Sequence, residues 1–222
     1  IFADMDSAIM AADAAWRSYM DCSMKDRARF VQTIRDVALK PENLEHMARE
    51  AVEQTGMGNV LDKIAKNRAA AELTPGTEDL ITEAWSGDDG LTTIEISPYG
   101  VIGAITPTTN PTETVINNAI GMLAAGNSVV FSPHPRATKI THWLIRELNR
   151  ALVAAGAPAN LIVTVQNPSI ENTNAMMSHK LVRLLVATGG PGIVNAVLSS
   201  GKKAIGAGAH TLDEIKNAAL ID

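Results

Sequence analysis

The sequence predicts an α/β chain, a Rossmann-like doubly wound parallel sheet preceded by an N-terminal helical segment. Three observations carry that expectation. Up to about residue 90 the apolar residues recur at three- and four-residue spacings, as on amphipathic helices. Beyond it, short runs that are apolar throughout alternate with helical stretches, the pattern of parallel strands covered on both faces. The later strands also run into turns rich in Pro, Thr and Gly, where open α/β sheets build their sites.

Met5, Ile9, Ala12, Trp16 and Tyr19 give a first helix its inward stripe, and Ile1 is expected to lead directly into it. Phe30, Ile34 and Val37 do the same for a second helix, whose other faces carry Lys25, Arg27, Arg29 and Arg35. Pro41 sits at the first position of a third helix, with Leu44, Met47, Ala48, Ala51 and Val52 inward and Gly56 as its stop. A fourth helix covers Val60 to Leu73 and ends before Pro75-Gly76. A turn at Gly87-Asp88-Asp89-Gly90 precedes a weakly alternating stretch, Leu91 to Ser97, that reads as an exposed or edge strand. Strands are then expected at Val101–Ile105, Val129–Phe131, Leu161–Val165, Val182–Ala187 and Lys203–Ile205. Helices are expected at Pro111–Ala125, Arg136–Ala155, Ile170–Ser178 and Pro191–Ser200, crossing over with the usual right hand. The chain thus divides into a helical segment over 1–90, a sheet part over 91–210 and a separate amphipathic helix over 211–222.

Composition narrows the function classes. The 222 residues carry a net charge of −5, with Lys and Arg dispersed, so the basic face of a nucleic-acid binder is not expected. No apolar run approaches the roughly 18 residues of a membrane span. One cysteine rules out an internal disulfide and fits a reducing, cytoplasmic setting. That residue, Cys22, lies between Asp21 and Asp26, whose charges would raise its thiol pKa rather than activate it. The histidines are too scattered to suggest a metal site, and none is expected.

Three turns could carry chemistry. In the first, Thr106-Pro107-Thr108-Thr109-Asn110-Pro111, Asn110 reads as a helix N-cap, with Pro111 and Glu113 completing a good helix start. Local sequence alone favours that cap; the other reading is that its amide donates to an oxyanion forming on a substrate. The second, Phe131-Ser132-Pro133-His134-Pro135, follows a buried strand, and its histidine reads as an exposed loop residue without acid–base work. The third, Thr188-Gly189-Gly190-Pro191-Gly192, is either an ordinary strand-to-helix connection or a phosphate cradle at a helix amino terminus. It lacks the G-x-G-x-x-G fingerprint and the acidic residue that follows it.

The run Pro98 to Thr114, with Leu123 to Val130, resembles the oxyanion-asparagine region of the aldehyde dehydrogenase superfamily. Within it the chain is most similar to the CoA-acylating branch, the acetaldehyde and propionaldehyde dehydrogenases of ethanolamine and propanediol utilisation. Glu53 to Gly58, Lys63 to Asn67, Leu73 to Leu80 and Ser132-Pro133-His134-Pro135 carry that finer likeness, and the match runs from about residue 4 to 209. The resemblance implies NAD and coenzyme A along Thr106, Pro107, Thr108, Ser132, Pro133, His134, Thr188, Gly189, Gly190, Pro191 and Gly192, with Asn110 as the catalytic oxyanion donor. It implies a small aldehyde as substrate, oxidised through a cysteine thioester that CoA cleaves, and a homo-oligomer, cytoplasmic or within a bacterial microcompartment. Hydrolytic relatives place a water-activating glutamate at the position of Gly206, so CoA is the expected acceptor here. The family's catalytic cysteine has no counterpart in the chain, which is therefore expected to be inactive alone. The alternative is a non-catalytic nucleotide-binding or assembly module on the same fold.

Overall fold

A computed structural model describes residues 1–208; the helix expected over 211–222 lies outside the described residues. Four helices open the chain, each started by local chemistry. Asp4 caps α1 (Met5–Tyr19) by accepting from the Ser7 amide, and Ser23 and Asp26 form a reciprocal capping box on α2 (Met24–Leu39). Pro41 begins α3 (Pro41–Thr55), which ends on Gly56 in the left-handed region at φ 68°. Asn59 caps α4 (Val60–Leu73).

Ile1 does not enter α1 directly. Phe2 forms a parallel bridge with Val165, its amide donating to the Thr164 carbonyl at 2.9 Å, before Asp4 starts the helix. The edge expected over Leu91–Ser97 is instead half of a hairpin, in which β1 (Glu83–Gly87) pairs antiparallel with β2 (Gly90–Ile94) around Asp88-Asp89. Ile96 and Ser97 fall beyond the ladder. All ten hairpin residues are exposed, which is why β1 shows no inward–outward alternation in sequence.

The main sheet is parallel, in the order β5-β4-β3-β6-β7, from β3 (Val101–Thr106), β4 (Ser128–Pro133), β5 (Ile162–Thr164), β6 (Val182–Thr188) and β7 (Lys203–Ala207). The connecting helices are α5 (Pro111–Ala124), α6 (Thr138–Ala154), α7 (Ile170–Ser178) and α8 (Pro191–Leu198). A short 3-10 turn, Pro135–Ala137, takes the place of the first turn expected for α6. Alternate strand residues feed two cores. Ile102, Ala104, Val129, Phe131, Ile162 and Leu184 pack with α2, α3, α5 and α6 on one face. Val101, Ile105, Val130, Val163, Leu185 and Ala187 pack with α1, Met176 of α7 and Val197 of α8 on the other. The doubly wound sheet expected from the sequence is present. From β3 the chain crosses to β4 on one side, while β6 adds on the other side, so the winding reverses at the carboxyl ends of β3 and β6. Open α/β sheets bind ligands at that place.

Candidate functional site

A groove of about 780 Å³ opens at this reversal, lined by the ends of β3, β4, β6 and β7 and by the start of α7. It gathers most of the three turns singled out in the sequence: Thr106, Pro107 and Thr108 from the first, Ser132, Pro133 and His134 from the second, Thr188, Gly189 and Gly190 from the third. Pro191 and Gly192 form the first turn of α8 just beyond it. Among the described residues the groove walls carry no carboxylate, so an anionic ligand meets no fixed like charge from them.

Each turn presents a different chemistry. Ser132 is buried, and its hydroxyl lies 2.8 Å from that of Thr173, which donates to the Ser169 carbonyl. With the Thr173 proton committed, Ser132 must donate, leaving its own lone pairs as acceptors for a ligand hydroxyl. Gly189 permits close packing, since a Cβ there would stand 2.8 Å from Ile193 Cγ2. Gly190 differs, because a Cβ there would meet nothing within 4 Å; its missing side chain leaves open space in front of α8. His134 Nδ1 accepts the Arg136 amide at 3.2 Å, so the imidazole caps its own loop. Burial, and then the Arg136 charge, push its pKa below the usual histidine value.

Sequence reasoning missed Ser169, Ile170 and Thr173, which α7 folds over the groove. Ile170 is 82% exposed at the mouth, an apolar side chain left open among the described residues. The capping serine at the start of α7 was the available sequence signal.

Asn110 stands apart from the groove. It faces a second, smaller cleft of about 470 Å³ between α4 and α5, with Lys66 and Ala70 of α4 and Glu113, Thr114, Asn117 and Asn118 of α5; Thr188 and Ala207 border both cavities. Asn110 occupies the N-cap position of α5, yet its side chain makes no capping hydrogen bond. Its Oδ1 instead accepts from the Nζ of Lys63 at 3.3 Å. Lys63 is 2% exposed, pairs with Glu113 at 3.0 Å and also donates to the Thr109 carbonyl. Among the described residues no acceptor engages the Asn110 Nδ2.

Gly206 lies on β7 against α8, and a Cβ there would come within 2.5 Å of Val194 Cγ1. A glutamate at this position requires Val194 to move. Ala209 of the expected glycine-rich loop lies outside the described residues. Cys22 packs at the edge of the helical core, remote from both cavities, and its thiol pKa is raised first by burial and then by Asp26. The direction is the one expected from the sequence. Among the described residues, no three His, Cys, Asp or Glu side chains converge as metal ligands, and no helix is long and apolar enough to cross a membrane.

A family model described as the aldehyde dehydrogenase family matches residues 2–211. The chain is 48% identical over 209 residues to the propanal dehydrogenase (CoA-propanoylating) of Salmonella typhimurium, covering 94% of this chain and 45% of that protein. It superimposes with a TM-score of 0.93 and 67% identity on a Rhodopseudomonas palustris propionaldehyde dehydrogenase with bound CoA and an acylated cysteine, over 94% of this chain and 48% of that one. An engineered glycolyl-CoA reductase with bound NADP+ matches with the same TM-score at 65% identity, over 94% and 47%. The chain therefore spans under half the length of the relatives it matches.

Proposed function

The chain belongs to the aldehyde dehydrogenase family, and from that premise we propose that it forms the cofactor-binding part of a CoA-acylating aldehyde dehydrogenase. The observation that carries this reading is the uncharged groove at the winding reversal, with an asparagine amide in the cleft beside it. Bound there, NAD supplies the hydride acceptor and CoA the thiol that removes the acyl group. The chain's own residues bind and orient. Ser132 would accept from a ribose hydroxyl, the open space at Gly190 would admit a phosphate, and Ile170 would supply an apolar contact to the base. The substrate is a small aldehyde whose carbonyl oxygen meets the Asn110 Nδ2. The crowded Gly206 favours CoA over water as acyl acceptor, because a general base there has no room. A cytoplasmic enzyme, enclosed in a microcompartment where its pathway is, follows from the same resemblance.

Calorimetric titration tests the shared groove. NAD is expected to bind the chain weakly, with a Kd on the order of 1 mM, equivalent to about −4 kcal/mol, and saturating CoA is expected to abolish its heat. Neither heat nor thermal shift with either ligand would favour the assembly-module alternative.

The hairpin suits a second copy of the chain. Trp85, Leu91 and Ile94 are 53%, 69% and 50% exposed, and an uncovered apolar ladder invites association. Light scattering is expected to give a dimer or larger species; a 23.5 kDa monomer at high concentration contradicts this.

A further inference from the structure

We propose that Lys63 is a positioning residue, holding the Asn110 amide in one orientation and strengthening its N–H donors. The inference rests on the reading of Asn110 as an oxyanion donor. It is carried by a buried cluster that neither the groove nor the helix start explains.

An ammonium has three donors and no acceptor. Those of Lys63 meet the Thr109 carbonyl, Glu113 Oε1 at 3.0 Å and Asn110 Oδ1 at 3.3 Å. Asparagine oxygen and nitrogen are usually interchangeable by a flip of the amide. Here the flip would set an NH2 against an NH3+, donor facing donor, so only the oxygen can face Lys63. The Nδ2 must then face away from Lys63, and Asn110 lines the second cleft. The cation also draws electron density toward Oδ1, which makes the opposite N–H groups better donors to a developing negative charge.

The surroundings hold Lys63 itself in place. Gly58, at φ 76°, lies over its stem, where a Cβ would stand 3.4 Å from Lys63 Cε. Glu113 is fixed in turn by the Thr112 hydroxyl, which donates to its other oxygen at 3.1 Å. The lysine belongs to α4, the asparagine and glutamate to the start of α5, so the lock also ties two helices across the cleft.

The test is the side-chain amide spectrum of the chain labelled with 15N-asparagine, the Asn110 pair being identified by its loss in Asn110→Ala. In the unmodified chain the Asn110 Nδ2 order parameter is expected near the rigid value of about 0.85; a value under about 0.6 overturns the proposal whatever the variants do. In Lys63→Met/Glu113→Met, which removes both charges together, the pair is expected to move toward the shifts of a solvent-averaged asparagine while the backbone spectrum stays folded. Unchanged Asn110 signals in that variant also overturn it. The kcat of Asn110→Ala in an active enzyme built on this polypeptide separates the two readings: an intact kcat defeats the oxyanion role while leaving the amide signature of the unmodified chain untouched.

Discussion

Lys63→Met is expected to destabilise the chain by about 3–5 kcal/mol, since it removes one partner of a buried ion pair and leaves the other charged. The side chains of Lys63 and Glu113 are 2% and 9% exposed, so water reaches the orphaned carboxylate only narrowly, from the cleft that Glu113 borders. The Thr109 carbonyl loses its partner at the same time. The surface pairs should behave differently. Arg49–Glu45, with both side chains more than half exposed, should yield under about 1 kcal/mol when broken. Denaturant unfolding distinguishes the cases by the shift in midpoint at constant slope. Removing both buried charges in Lys63→Met/Glu113→Met should restore much of the loss, because a well-packed apolar pair replaces a buried ion pair at little cost. A midpoint for Lys63→Met within error of the unmodified chain would mean that the pair is solvated in solution.

The second large effect falls on the chemistry. In an active enzyme built on this polypeptide, Asn110→Ala is expected to lower kcat by about 10²–10³-fold, or 2.7–4 kcal/mol of barrier, with little change in NAD affinity. The separation follows from geometry: Asn110 faces the cleft between α4 and α5, while the groove is built from other residues. The side chain makes no capping hydrogen bond but accepts from the buried Lys63 ammonium, so the substitution should also cost about 1–3 kcal/mol of stability through that lost acceptor. Steady-state kinetics and unfolding of the same variant check both halves. A loss of stability with kcat intact would make Asn110 a structural partner of Lys63 and nothing more.

Most of the fold was legible because local chemistry sets it. Asp4, Ser23, Pro41, Gly56 and Asn59 punctuate the four opening helices, and the apolar runs of β3 and β4 declare strands buried on both faces. The hairpin was half legible. Its turn shows in sequence, but β1 has no buried face to impress a period on its residues. The groove turns could be named because Pro and Gly mark them, whereas the contribution of α7 depends on how a helix distant in sequence folds over the sheet. Lys63 is the clearest case of a residue hidden from linear reading. On α4 it looks like one more helix charge, and its partners Asn110 and Glu113 lie 47 and 50 positions away. One trace was present. Lys63, Asn67 and Ala71 occupy the buried stripe of α4, where an ordinary amphipathic helix would place aliphatic side chains, and a stripe of that kind asks for polar partners across the interface.

The claim that this chain cradles a dinucleotide at the winding reversal is tested most directly by mapping NAD onto it through backbone amide shifts. Saturable changes are expected at Thr106, Thr108, Ser132, Thr173, Gly189 and Gly190, with the hairpin and α3 silent. Shifts absent at those positions at millimolar NAD, or centred on another surface, would contradict it.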